Sequence, residues 1–117
     1  MSTDQKSPFL LLFRESSDAP DRTPEEMQHI MGQWMAWIKR LRDEGQYVSG
    51  NRLEDAQKIL RGKTIMDGPF AETKEVVSGL IVVLAGDLAH ATMLAQGCPG
   101  LAYGNSVEVR PVIPSTA

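Results

Sequence analysis

The sequence predicts an α+β fold in which two helices cover one face of a mostly antiparallel sheet. Two observations support this prediction. Residues 8–14 and 76–84 are strongly apolar and have the length of strands, and helical spacing of apolar residues begins near Thr23 and Asp87. The chain has 117 residues, 42% of them apolar, which suits one domain with an ordinary core. We therefore expect one domain over residues 1–117, with loose termini at residues 1–7 and 114–117.

The first predicted strand, residues 8–14 (PFLLLFR), has apolar side chains on both faces. The helix that follows begins with Thr23 as its N-cap, Pro24 at the first helical position and Glu26 completing a capping box. Gly45 ends this helix. Seven apolar residues recur at three- and four-residue steps: Met27, Ile30, Met31, Trp34, Trp37, Ile38 and Leu41. Such spacing places them on one stripe, which we expect to face the core.

Three strand segments are predicted between the two helices. Residues 46–50 read as a short strand, and residues 56–66 (AQKILRGKTIM) read as either a strand or a hairpin bent at Gly62. Residues 76–84 form a long strand that is again apolar on both faces.

The second helix is predicted to begin with Asp87 as its N-cap and to end at Gly97 and Pro99. Its apolar face is predicted to contain Leu88, Ala91, Leu94, Ala95 and Cys98. The last strand, residues 106–112, alternates apolar and polar side chains, as strands with one covered face do.

The order β-α-β-β-β-α-β predicts a ferredoxin-like sandwich built from two split βαβ units, with residues 8–14 and 76–84 as central strands. A sheet face in contact with water should be polar, but both central strands are apolar on both faces. Something must therefore cover the second face. A second copy of the same sheet is the simplest cover, which predicts a two-fold homodimer.

Composition argues against several partners and cofactors. The chain has 12 basic and 15 acidic side chains, with no dense cluster of Lys and Arg, so we expect no nucleic-acid partner. A single cysteine, Cys98, rules out an intrachain disulfide and a multi-cysteine metal site. No secretory signal or long apolar run is visible, so we expect a cytoplasmic protein without membrane contact. We also expect no cofactor, because no glycine-rich phosphate loop occurs.

The segment DGPFAETKE (residues 67–75) directly precedes an apolar strand, and the chain closes with SVEVRPV (residues 106–112). These features resemble the YCII-related, DGPF-domain family over nearly the whole chain. The resemblance implies a ferredoxin-like fold and dimers whose sheets pack face to face as an α+β barrel. Most members have no assigned reaction.

The wider family points to two kinds of function. A few relatives are enzymes that act on small aromatic ring compounds, whereas some DGPF proteins are encoded beside sigma factors of the extracytoplasmic-function type. Other branches carry a histidine on the first helix as part of a proposed catalytic pair. Counting back from Gly45, the corresponding position here is Trp34, so that acid–base role is not carried over.

The DGPF turn supplies the first candidate site residues. Asp67 is a candidate general base, although Asp-Gly-Pro is also an ordinary turn in which the carboxylate bonds nearby backbone. Gly68 and Pro69 are expected to shape the backbone of the turn. Phe70 either anchors the turn or forms an aromatic wall of a pocket.

The charged residues after the turn either contact a ligand or a second subunit, or are simply solvated. They are Glu72, Lys74 and Glu75. Arg110 on the last strand is a candidate carboxylate partner. If the protein catalyses a reaction, we expect proton transfer with Asp67 as the base and with Arg110 or Lys74 as the group that stabilises developing negative charge; otherwise Arg110 forms a surface or cross-strand ion pair.

Residues on the two helices complete the candidate set. Trp34 is a core residue that could also stack an aromatic ligand, and His90 flanks the apolar face of the second helix. His29 lies opposite the apolar stripe and is expected in solvent, and Cys98 is expected to be buried and inert.

Two functions remain open at this stage. One is cofactor-free isomerase- or lyase-like proton transfer on a small aromatic or acidic molecule, in a pocket between sheet and helices. The other is a non-enzymatic module that binds a ligand or partner in a sigma-factor-linked pathway. A closed pocket lined by ionisable groups would favour the enzyme, whereas a shallow or filled pocket would favour the binding module.

Overall fold

The computed structural model describes residues 5–69 and 74–114 of the chain. Within these residues, six strands, two α-helices and one 3₁₀ helix follow one another along the chain. They are β1 (Ser7–Ser16), α1 (Pro24–Asp43), β2 (Tyr47–Arg52), β3 (Lys58–Arg61), β4 (Thr64–Asp67), β5 (Glu75–Ala85), α2 (Leu88–Ala95), the 3₁₀ helix (Pro99–Tyr103) and β6 (Ser106–Pro111).

Four strands form an antiparallel sheet in the order β2-β5-β1-β6. The two apolar strands are central, as the sequence predicted, and they pair with Phe9 opposite Val83 and Leu11 opposite Ile81. Two helices pack on this sheet, and the α+β, ferredoxin-like prediction is confirmed.

Helix α1 begins as its sequence predicts. The Thr23 hydroxyl accepts a hydrogen bond from the Glu26 backbone N–H at 3.1 Å, and the Glu26 carboxylate accepts one from the Thr23 N–H at 3.0 Å. These reciprocal bonds lower the pKa of the Glu26 carboxyl below its usual range, the bond from the Thr23 backbone contributing most. Gly45 follows the helix with φ 71°, a left-handed conformation that glycine adopts without strain.

The apolar stripe of α1 is buried only in its second half. Trp37 and Leu41 are buried, whereas Met27 and Met31 near the start of the helix are exposed. The apolar stripe of α1 is thus longer than the part of the helix that packs against the sheet. Periodicity shows which side of a helix is apolar, but not how much of the sheet lies beneath it.

Three aromatic rings fill the space between α1 and the sheet. Phe13 of β1 makes edge-to-face contacts with Trp34 and Trp37, whose centroids lie 5.0 and 6.0 Å away, and the two indoles are 5.6 Å apart. Trp37 is 3% exposed. These rings pack closely between α1 and the sheet, and the two clefts described below lie elsewhere, so the pocket expected between helices and sheet stays a prediction.

Helix α2 begins at Asp87, whose carboxylate accepts a hydrogen bond from the His90 N–H at 2.8 Å. Ala91, Ala95 and Cys98 are buried, and burial raises the pKa of the Cys98 thiol. Leu88, also predicted on the apolar face, is 47% exposed. No helix in the described part of the chain has the length and apolar composition needed to cross a bilayer.

Residues 56–66 contain a hairpin rather than a single strand. Within the described residues, strands β3 and β4 pair only with each other, with Leu60 opposite Ile65 and Ile59 opposite Met66. Gly62 lies in the turn with φ 60°. We refer to the segment β3–β4 as the hairpin.

The sheet face away from the helices is apolar along both central strands. Its residues are half-buried: Leu10, Leu12, Leu80, Val82 and Leu84. Leu10 pairs with Val82 and Leu12 with Leu80, so these side chains form a continuous apolar surface. We call these five residues the open face.

Candidate functional site

A cleft of about 420 Å³ lies between one end of the sheet and the hairpin. Its apolar wall consists of Leu53, Ala56, Ile59, Pro69, Val76 and Val77. Its polar lining consists of Arg14, Glu54, Gln57 and Glu75. An apolar wall with a few ionisable groups is typical of a small-molecule site.

Three chain segments meet at this cleft because of local features of the sheet. The register between β1 and β5 shifts between Phe13 and Arg14, so Arg14 pairs with Val77. The loop after β2 is tied to β5 by the Leu53 N–H, which donates to the Ser78 carbonyl at 2.9 Å. This loop leads directly into the hairpin, which brings Ile59 over the end of the sheet.

A polar network borders the cleft on the same side of the sheet as the open face. The Arg14 guanidinium donates to the Glu108 carboxylate at 3.1 Å, and Arg110 lies 3.5 Å from the other oxygen of Glu108. The Ser106 hydroxyl donates to the Glu75 carboxylate at 2.6 Å. The Arg14 and Glu108 side chains are 34% and 40% exposed, so their ion pair contributes little stability, about 0–1 kcal/mol.

The DGPF turn stands at the root of the hairpin. Asp67 ends β4 and forms an ion pair with Lys58 across the hairpin, and its side chain is 85% exposed. The Gly68–Pro69 peptide bond is cis. Pro69 lines the first cleft, whereas Asp67 and Gly68 line a second cleft of about 510 Å³.

Gly68 is needed for space rather than for a left-handed backbone. Its φ is not positive, so a β-branched residue would not be strained there on that account. A Cβ atom at Gly68 would instead lie 2.6 Å from the Gln57 side-chain oxygen and 2.8 Å from the Ile59 terminal methyl. The turn therefore packs directly against the residues that lead into and begin the hairpin.

The structure does not bring all the predicted site residues together. Of the charged set, Glu75 lines the first cleft, Lys74 is exposed beside it, and Arg110 is 68% exposed on an edge strand away from the DGPF turn. Phe70 and Glu72 lie outside the described residues.

The helix residues of the candidate set have local partners. Trp34 is part of the aromatic cluster. The His90 Nδ1 accepts a hydrogen bond from the Gly86 N–H at 3.0 Å, and this bond holds the imidazole ring at the start of α2. Neither residue lines the two clefts described here, and His29 is exposed as predicted.

Sequence reasoning missed Arg14, Gln57 and Glu108. Arg14 carries a weak signal, because it is the first charge after an apolar strand. Glu108 was recognised only as part of an alternating strand. Their relevance depends on contacts between distant segments, which periodicity along one segment does not reveal. No group of three or more His, Cys, Asp or Glu side chains that could hold a metal occurs in residues 5–69 and 74–114.

The fold and the cleft define a small ferredoxin-like α+β protein, and no helix or strand among residues 5–69 and 74–114 covers its apolar open face. The family model of the YCII-related domain matches residues 9–116, nearly the whole chain. The chain therefore belongs to the YCII-related domain family, as its DGPF and VEVRPV segments predicted. No curated protein matches it.

Proposed function

We propose that this protein is a homodimeric binding protein for a small, largely apolar molecule. In this proposal, two copies pack their open faces together, and the cleft beside the DGPF turn holds the ligand. The proposal rests on one observation, that the cleft and the open face of the same chain are continuous. Arg14 lines the cleft and pairs with Glu108, which lies opposite Leu12 of the open face.

The dimer is supported by the chemistry of the open face. Five half-buried aliphatic side chains on two neighbouring strands leave apolar surface in water, and burying apolar surface yields about 25 cal/mol per Å². Polar groups flank this surface, namely the Arg14–Glu108–Arg110 network on one side and Ser49 and Asn51 on the other. An apolar centre with a polar rim is the usual anatomy of a protein interface.

The side chains that line the first cleft indicate which kind of small molecule it would bind. Its wall is mostly aliphatic, and its ionisable groups are two carboxylates, Glu54 and Glu75, and one guanidinium that already pairs with Glu108. A ligand with an apolar or aromatic body and a hydrogen-bond donor fits this lining better than an acid does. The open cleft and the packed helix–sheet layer favour binding over catalysis.

Sedimentation equilibrium tests the dimer. We expect the wild type to sediment with twice the chain mass, and Leu12→Asp to sediment as a monomer, because a carboxylate would be buried against apolar surface. Met93→Asp is the matched control, since Met93 is 61% exposed on α2, away from the open face. A wild type that stays monomeric, or a Leu12→Asp variant that still dimerises, contradicts the proposal.

Binding is tested by NMR titration with benzylamine and benzoate as probes of opposite charge. We expect benzylamine to shift the amide signals of Val76 and Val77 in a saturable way, and benzoate to do so more weakly. Glu75→Gln should weaken the benzylamine shifts, because it removes one of the two carboxylates in the lining. Shifts that are absent, or that map to another surface, contradict this site.

A second candidate function is cofactor-free proton transfer, and one observation favours it. Ionisable side chains line both clefts, and Asp67 lines the second one. Here Asp67 removes a proton from carbon, and Lys74 stabilises the resulting negative charge, since Arg110 lies on an edge strand away from the DGPF turn. Exchange of the C3 protons of phenylpyruvate with D₂O, followed by NMR, tests this. If the protein is such an enzyme, the wild type accelerates this proton exchange and Asp67→Asn does not. Equal exchange rates with the two proteins would show that Asp67 is not the catalytic base.

A further inference from the structure

The hairpin stands apart from the body of the protein. Its two four-residue strands pair only with each other, and no other helix or strand in the described chain has more than marginal contact with them. The molecule measures 51 × 43 × 19 Å. Its radius of gyration is 16.3 Å, whereas a compact domain of this length has one of about 13 Å. An isolated two-stranded hairpin is only marginally stable in water, so this one needs a packing partner.

Both faces of the hairpin are apolar at its centre. Ile59 and Met66 form a cross-strand pair that is half-buried toward the body. On the opposite face, Leu60 and Ile65 form a second cross-strand pair that is 69% and 67% exposed. A hairpin with only one covered face would carry polar residues at these positions. Among the residues that the structure describes, the Leu60–Ile65 pair is therefore an apolar contact surface without a partner.

The charge of the hairpin favours a second copy of this chain as its partner. Residues 58–67 contain three basic side chains and one acidic side chain, a net charge of +2. The whole chain carries −3, so the rest of the chain carries −5. A basic arm on an acidic body complements the body of a second copy of this chain. The same acidic body would be repelled by nucleic acid or by an anionic membrane.

We propose that the hairpin is a dimerisation arm, which packs its Leu60–Ile65 pair on the second copy of the chain. This inference rests on the dimer proposed above. The first cleft joins the hairpin to the open-face side of the sheet, because Ile59 of the hairpin and Arg14 of β1 both line it. The arm therefore begins where the proposed interface ends. In a two-fold dimer each arm meets the other subunit, and the contact occurs twice.

Sedimentation equilibrium of a hairpin variant tests the arm. Leu60→Thr/Ile65→Thr removes both exposed aliphatic side chains and places β-branched threonine at both positions, which suits strands. We expect this variant to keep its far-ultraviolet circular dichroism and to raise the dimer dissociation constant at least tenfold. The control is Met35→Gln/Met93→Gln, which removes two similarly exposed side chains from the helices, 65% and 61% exposed, and should leave the constant unchanged.

The outcomes separate the arm from the dimer. A wild type that remains monomeric overturns the dimer and the arm together. A dimeric wild type whose dissociation constant is unchanged in the hairpin variant overturns the arm alone. If the hairpin variant instead loses binding to phosphatidylserine vesicles while its dimer is unaffected, the hairpin is a membrane contact and the proposal is wrong. Hydrogen exchange of the hairpin amides gives a second test. Exchange that slows as the wild type associates, but stays fast in the Leu12→Asp variant at the same concentrations, supports the arm.

Discussion

Replacement of Trp37 by alanine should cost roughly 3–5 kcal/mol of unfolding free energy, as large-to-small changes in a core do. Trp37 is 3% exposed, and truncation at Cβ removes about 150 Å² of buried apolar surface, or about 4 kcal/mol at 25 cal/mol per Å². The edge contacts with Phe13 and Trp34 are lost as well. A Cβ atom placed on Gly97 would lie only 2.8 Å from the Trp37 Nε1, so the ring is enclosed on this side too.

Urea unfolding followed by circular dichroism measures this cost, and the signal does not depend on tryptophan fluorescence. All variants need the same protein concentration, because association adds to apparent stability. Met35→Ala is the control on the same helix. Met35 is 65% exposed, so its replacement should change the free energy by less than about 0.5 kcal/mol. A cost below about 1 kcal/mol for Trp37→Ala would refute the packing of α1 on the sheet.

Four further substitutions test local features. Gly79→Ala should cost roughly 1–3 kcal/mol in urea unfolding, because its Cβ would lie 2.8 Å from a backbone carbonyl of β2 that cannot move aside. Gly68→Ala should cost less, since only flexible side-chain ends lie close. Because the pKa of the Glu26 carboxyl is lowered in the folded state, its bond to Thr23 stabilises α1 above pH 4.5 and is lost as the pH falls through the folded-state pKa. An acid titration followed by circular dichroism should therefore show a smaller loss of stability over this range in Glu26→Gln than in the wild type. Asp67→Asn should leave the unfolding free energy within about 1 kcal/mol of wild type, because its ion pair is exposed.

Local chemistry made much of the fold predictable. The capping box at Thr23, the N-cap at Asp87 and the two-sided strands each depend on residues within a few positions of one another, and all occur in the structure. The hairpin at Gly62 was one of two alternatives. Sequence periodicity could not decide between them, because a bent strand and a tight hairpin place glycine at the same point.

The candidate site was only partly predictable. The DGPF turn was located, and Pro69 and Glu75 line the first cleft. Arg14, Gln57 and Val77 reach that cleft through the register shift in β1 and the loop before the hairpin, which are consequences of tertiary packing. The exposure of Met27 has the same origin, since an amphipathic pattern does not show where the sheet ends.

The most direct test of the account asks whether the open face is covered in solution. Methyl NMR with a soluble paramagnetic relaxation agent, recorded across a dilution series, measures this for Leu10, Leu12, Leu80, Val82 and Leu84. The account predicts that these methyl groups are shielded from the agent at high protein concentration and become accessible on dilution, while the exposed Met35 and Met93 methyls stay accessible throughout. Open-face methyls that stay accessible at every concentration, or shielding that appears on the helix methionines instead, would contradict it.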